Sequence, residues 1–192
     1  MKAPSLLAVA IAATILAALP LAGCASSSGT STASPLPSAT ATPPPTPAQV
    51  MTTYLARAKK VRAKYMRLYD EMKRVNNAHV AWDSTWKATG HKLAKLAKQQ
   101  YGLETAWALI EPPKGLAAAH RAYGKNMALN RRWFQLASYC FIWKYDMSPG
   151  SSYGKQLDAL DSKASDAYDT YRLAVSVKAH QLGVKIPWKW SL

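Results

Sequence analysis

Between Met51 and Val75 the apolar residues fall at alternating steps of three and four: Met51, Tyr54, Ala58, Val61, Tyr65, Leu68, Met72 and Val75. Such steps put one side chain per turn on one face of an α-helix, so this stretch must bury a continuous stripe against something else. A start signal precedes it. Thr46-Pro47-Ala48-Gln49 places threonine at the N-cap, proline at the first helical position and glutamine at the third, the pattern of a reciprocal capping box. Asn76-Asn77 predicts the end of this helix or a bend in it.

The same period recurs downstream. A second helix is expected from about Asp83-Ser84 to Gln100, with Trp86, Leu93, Leu96 and Tyr101 inward and Gly90 as a weak point. Residues 102 to 112 read as loop, with at most one helical turn carrying Trp107 and Ile110. Pro112-Pro113 stops the chain and launches a third helix, in which Leu116, His120, Tyr123, Met127, Phe134, Ala137 and Phe141 keep the spacing to about Trp143. Ser148-Pro149-Gly150-Ser151-Ser152 is a turn. A fourth helix carries Leu157, Leu160, Ala164, Ala167 or Tyr168, Tyr171, Ala174, Lys178 and Leu182, with Gly183 as its C′ cap and Pro187 beyond. Four amphipathic helices on mostly short connections imply an all-α domain over residues 47–192, an antiparallel up-down four-helix bundle.

The N-terminal segment has a different character. After Lys2 an uncharged Leu/Ala/Ile/Val-rich run extends from Ser5 to Leu19 and closes on Leu21-Ala22-Gly23-Cys24. This run is too short for a permanent membrane span and carries small residues before a cut. It resembles the signal peptide and lipobox of bacterial lipoprotein precursors. The resemblance implies that residues 1–23 are removed and that Cys24 becomes the lipidated N-terminus. The mature chain is then anchored on the extracytoplasmic side of the cell membrane, or at the outer membrane if the envelope is Gram-negative. Two or three acyl chains, palmitate among them, suffice for such an anchor, since each buried methylene contributes about 0.8 kcal/mol. Residues 24–46 then form a tether: 17 of the 23 residues from 25 to 47 are Ser, Thr or Pro and none is charged, so no core can form there. Once Cys24 is lipidated, Cys140 has no partner for an intramolecular disulfide, and stability must come from packing.

The folded part has a second resemblance. Ile110-Glu111-Pro112-Pro113-Lys114-Gly115-Leu116 followed by His120 and Tyr123, with Leu182-Gly183-Val184 near the end, is similar to a pattern in secreted bacterial helical domains of no agreed activity. It implies a helical bundle and no chemistry.

Catalytic and metal-binding constellations are missing from the sequence. His79, His91, His120 and His180 include no pair at helical three- or four-residue spacing, and neither Glu-x-x-His nor Cys-x-x-Cys-His occurs. No metal and no cofactor is therefore expected. His120 lies on the apolar stripe of the third helix, where a hydrogen bond to a tyrosine or a backbone carbonyl is the expected fate. A haem-like ligand would require His120 to face Met72, Met127 or another histidine. An enzyme would require a cleft at residues 101 to 112 assembling Glu104, Glu111 and His120. The expectation is a non-catalytic protein.

Charge is what remains. The chain carries a net charge of +15. The first helix holds eight basic residues against Asp70 and Glu71, whereas the fourth balances its bases and acids. Arg57, Lys60, Arg62, Lys64, Arg67, Arg131 and Arg132 are the candidate contacts to an anionic partner: envelope polymer, lipid headgroups or an acidic protein. Lys92/Lys95 and Arg131/Arg132 lack the interleaved glycine or aromatic motifs of nucleic-acid modules, which argues against specific base readout. The alternative is a sensor or carrier holding a small apolar or haem-like ligand in the bundle groove. Trp188 and Trp190 are expected to cover the open end of the bundle, or else to enter a headgroup region beside Lys189. The sequence leaves the oligomeric state open.

Overall fold

The computed structural model describes residues 43–80 and 85–190. The lipobox, Cys24 and nearly all of the tether, together with Asp83-Ser84, lie outside the described residues. Four helices account for all the regular structure among those residues: α1 (Pro47–Val80), α2 (Trp86–Ala108), α3 (Ala117–Trp143) and α4 (Ser152–Gln181). None of them is long and apolar enough to cross a membrane.

The start of α1 follows the capping box. The Thr46 amide donates to Gln49 Oε1 at 2.7 Å, and the Gln49 amide donates back to Thr46 Oγ1 at 3.3 Å. α1 runs through Asn76-Asn77 without stopping, because Met72 and Val75 are still buried there and packing outweighs the weak helix propensity of two asparagines. α2 corrects a second expectation. Residues 102 to 108, read as loop, continue the helix and deliver Trp107 to the core, where it is almost fully buried. Gly102 does not break the helix, since its burden is only on the order of 1 kcal/mol against the burial of one indole. α3 begins after Gly115, whose φ of +86° makes the turn that follows the two prolines. Ser151 caps α4 by accepting from the Gly154 amide, and Gly183 ends it at φ +63°.

α1 packs on α2, α2 on α3 and α3 on α4. Buried side chains form two apolar clusters. One gathers Met51, Tyr54, Ala58, Trp107, Tyr123, Met127, Tyr171 and Val175. The other gathers Met72, Val75, Leu93, Phe134, Phe141 and Leu157. Along each helix a polar residue or a helix carbonyl lies between the two. Gln100 donates to the Met127 carbonyl, Asn126 donates to the Ala164 carbonyl at 2.9 Å, and Asn130 donates to the Tyr65 hydroxyl at 3.0 Å. Each amide is inside the protein and each donates to another helix, as burial of such groups requires, while Gln100 Oε1 has no hydrogen-bond partner among the described residues.

Gly90 is more than a weak point in α2. A methyl group on its Cα would sit 2.6 Å from Ile142 Cγ1 and 2.7 Å from the Ser138 carbonyl oxygen, and Ser138 Oγ donates to the Gly90 carbonyl at 2.7 Å. The two helices therefore touch backbone to backbone here, which only glycine permits. Gly102, on the same helix, would present its methyl to open space. Opposite outcomes are expected: Gly102→Ala should stabilise by about 0.5–1 kcal/mol through helix propensity. Gly90→Ala should destabilise by about 1–3 kcal/mol through overpacking despite the same propensity gain. Urea denaturation of the two variants beside the parent checks both signs.

Candidate functional site

α1 and α4 meet mainly through side chains, and the seam between them holds the features that distinguish this bundle from a plain packed core. At one end of the seam, Tyr54, Trp107 and His120 form a closed unit. Trp107 stacks on His120 with ring centroids 4.5 Å apart and planes 13° from parallel. Trp107 Nε1 donates to the His120 carbonyl at 2.9 Å, and His120 Nε2 donates to the Trp107 carbonyl at 3.1 Å. A carbonyl can only accept, so the imidazole proton is on Nε2 and Nδ1 is the acceptor for the Tyr54 hydroxyl at 3.2 Å. Burial pushes that hydroxyl up to about 12, so it keeps its proton and remains a donor. His120 thus bonds to a tyrosine and to a backbone carbonyl, as its place on the stripe predicts. With both nitrogens engaged, it is not free to ligate haem or a metal, and Glu104 is not beside it. Glu104 binds Arg131, at 2.7 Å and 3.1 Å, some 16 Å along α3 from His120.

The middle of the seam is aromatic. Tyr123 and Tyr171 lie 4.7 Å apart and are fully buried. After Gly183 the chain turns back over this surface, and Trp190 packs on Tyr168 and Tyr171 at 6.2 Å and 5.8 Å. Trp188 and Trp190 stand edge to face, 5.5 Å apart. The two tryptophans therefore cover the middle of the α1–α4 seam rather than the open end of the bundle.

Beneath them is Arg62, only 6 % exposed. Its guanidinium carbon is 5.6 Å from the centroid of each indole, and one of its nitrogens donates to the Tyr168 hydroxyl at 3.3 Å. This departs from the expected surface role. Arg62 lies about 140° around the helix from Arg57 at 3.6 residues per turn, between Ala58 and Tyr65 on the buried face. Spacing could have revealed it, since Ala58, Arg62, Tyr65, Tyr69 and Met72 also follow steps of four and three.

Beyond Tyr168 the seam opens into a cavity of about 240 Å³, with Tyr65, Tyr69, Asn126, Asn130 and Tyr168 on its walls and Lys73 and Asp161 at its mouth. On the outer side of α1, Arg57, Lys60, Lys64 and Arg67 are exposed and share one stripe. None of the four takes part in an ion pair among the described residues. Lys59, Lys60 and Lys185 line a cleft together with Leu55, Ala56 and Pro187. Arg132 is exposed as well, whereas Arg131 is held by Glu104 and half-buried. Among the described residues no three His, Cys, Asp or Glu side chains converge as metal ligands would.

Comparison of the chain with protein-family models, curated proteins and solved structures yields no match.

Burial holds the His120 imidazole below its ordinary 6.5, against the opposing pull of its bond to the Trp107 carbonyl. The unfolded chain takes up a proton near the ordinary value and the folded one resists it. The stability tied to the neutral ring is therefore complete above that value, and is lost as the pH falls through the depressed native pKa. The thermal midpoint should drop between about pH 7.5 and pH 5, and His120→Gln should flatten that slope while lowering the midpoint at the upper end. Thermal melts of both proteins across this window supply the check.

Proposed function

We propose that this chain is a membrane-anchored lipoprotein of the bacterial envelope, with Cys24 as its lipid attachment point. Its domain is an antiparallel up-down four-helix bundle on the extracytoplasmic side that binds rather than catalyses. The order of contacts supports the topology: Gly90, Gln100 and Trp107, ascending in α2, meet Ser138, Met127 and His120, descending in α3. The observation that carries the function is the stripe Arg57, Lys60, Lys64 and Arg67, four exposed cations without carboxylate partners among the described residues. Cations so arranged attract an extended anionic surface, each contributing about 1 kcal/mol near a charged bilayer and less as salt rises. The adjoining cleft, lined by Lys59, Lys60 and Lys185 together with Leu55, Ala56 and Pro187, suits phosphate headgroups and the chain carbon next to them. The partner is anionic lipid or phosphate-bearing envelope polymer.

The α1–α4 cavity favours a second reading, in which the bundle holds a small ligand. Its tyrosines and asparagines suit a ligand with one apolar face and one hydrogen-bonding edge. Haem does not fit this reading, since His120 is engaged elsewhere.

Two measurements test the first reading. Cys24→Ala should move the protein out of the membrane fraction; retention there would contradict lipid anchoring. The compact 43–192 unit should sediment with anionic vesicles at low salt and be released as salt rises. Replacing Arg57, Lys60, Lys64 and Arg67 by glutamine should remove most of that binding. Sedimentation indifferent to lipid charge, to salt and to the four substitutions would refute the basic-stripe mechanism.

A further inference from the structure

A guanidinium taken out of water needs a counter-charge or a full set of acceptors, because desolvating an ion costs several kcal/mol. Arg62 has neither. Its Nε is buried without a hydrogen-bond partner, its bond to Tyr168 engages only one of its nitrogens, and it joins no ion pair among the described residues. The two indoles offset part of the loss through their π faces, but a ring face does not accept the in-plane N–H groups.

Two neighbouring groups share this condition. The hydroxyl of Tyr123 and Nε1 of Trp188 are likewise buried without partners among the described residues, whereas the Tyr171 hydroxyl turns to that of Tyr54. They belong to one cluster: Tyr123 contacts Tyr171, Tyr171 contacts Trp190, and Trp190 and Trp188 both cover Arg62. The charge of Arg62 also opposes the rise that burial imposes on both tyrosine hydroxyls, which places it electrostatically close to them. Arginine and tryptophan can only donate, and a tyrosine hydroxyl can donate. Three unused donors, one of them on the positive charge itself, are complementary to an anion.

We propose that Arg62, with Tyr123 and Trp188, forms a buried binding site for the carboxylate of a small organic acid, whose apolar body occupies the adjoining α1–α4 cavity. A planar carboxylate matches the fork of a guanidinium with two parallel bonds, which a spherical ion cannot do. Tyr168 connects the two parts, since its hydroxyl accepts from Arg62 and its ring forms a wall of the cavity. The aromatic walls suit a flat apolar body, and Asn126 and Asn130 add amide edges beside it. The inference rests on the small-ligand reading of the cavity and is independent of the basic stripe, which lies on the other side of α1.

Benzoate is the probe. The full chain in detergent is titrated calorimetrically with sodium benzoate at constant ionic strength, then with benzyl alcohol, its uncharged counterpart, and the benzoate titration is repeated with chloride in excess. Saturable binding of one benzoate per chain is expected, with benzyl alcohol at least about tenfold weaker and chloride a poor competitor. Arg62→Met should abolish benzoate binding, and Arg57→Met on the exposed stripe should leave it unchanged. Equal binding of benzoate and benzyl alcohol would overturn the anion site while leaving the cavity reading intact. Binding of neither would overturn both. Effective competition by chloride, or benzoate binding that survives in folded Arg62→Met, would also overturn the carboxylate assignment. Should Arg62→Met fail to fold, the three-way comparison on the unaltered protein decides alone.

Discussion

The reciprocal bonding of Trp107 and His120 is the interaction on which the organisation of this bundle depends. Each ring donates to the other residue's carbonyl, the rings stack, and the remaining imidazole nitrogen accepts from Tyr54. Three helices are pinned by groups that cannot be rearranged singly, because any one withdrawal leaves a buried polar atom unpaired. Trp107 is placed for this role only because α2 continues past Gly102. From that anchor Trp107 also reaches Tyr123 and Tyr171, which form the aromatic floor under the returning C-terminal arm.

The apolar period made most of the fold legible. It located four helices, while residue identity located the Thr46 capping box, the Ser148–Ser152 turn and the Gly183 cap. Two ends escaped it. Asn76-Asn77 reads locally as a stop and residues 102 to 112 read as loop, and in both places the burial of a neighbour (Val75 in one case, Trp107 in the other) outweighs a propensity penalty of about 1 kcal/mol or less. Element ends are where a weak local preference competes with a contact to a distant part of the chain. Sequence shows only the first of these.

The candidate site was less legible, for a related reason. Four of the basic residues nominated from α1 lie on its exposed stripe, and their three-four spacing says so directly. Arg62 has the same chemistry and nearly the same position but the opposite environment. Charge alone counts it with its neighbours, whereas helical phase separates it from them. Its partners lie more than a hundred residues away, in Tyr168, Trp188 and Trp190. Arg131 shows the same lesson in milder form, since Glu104 is remote in sequence and adjacent in space.

The layer of amides between the two apolar clusters has a consequence for alignment. Gln100, Asn126 and Asn130 reach across to a partner on another helix at one level of the bundle. Aliphatic surfaces alone would tolerate a helix sliding by a turn, since one methyl fits roughly where another did. These carboxamides would not, for a shift of 5.4 Å or so would aim each of them at hydrocarbon. They work as the teeth of a key, admitting a single register and leaving the greasy clusters to supply the grip.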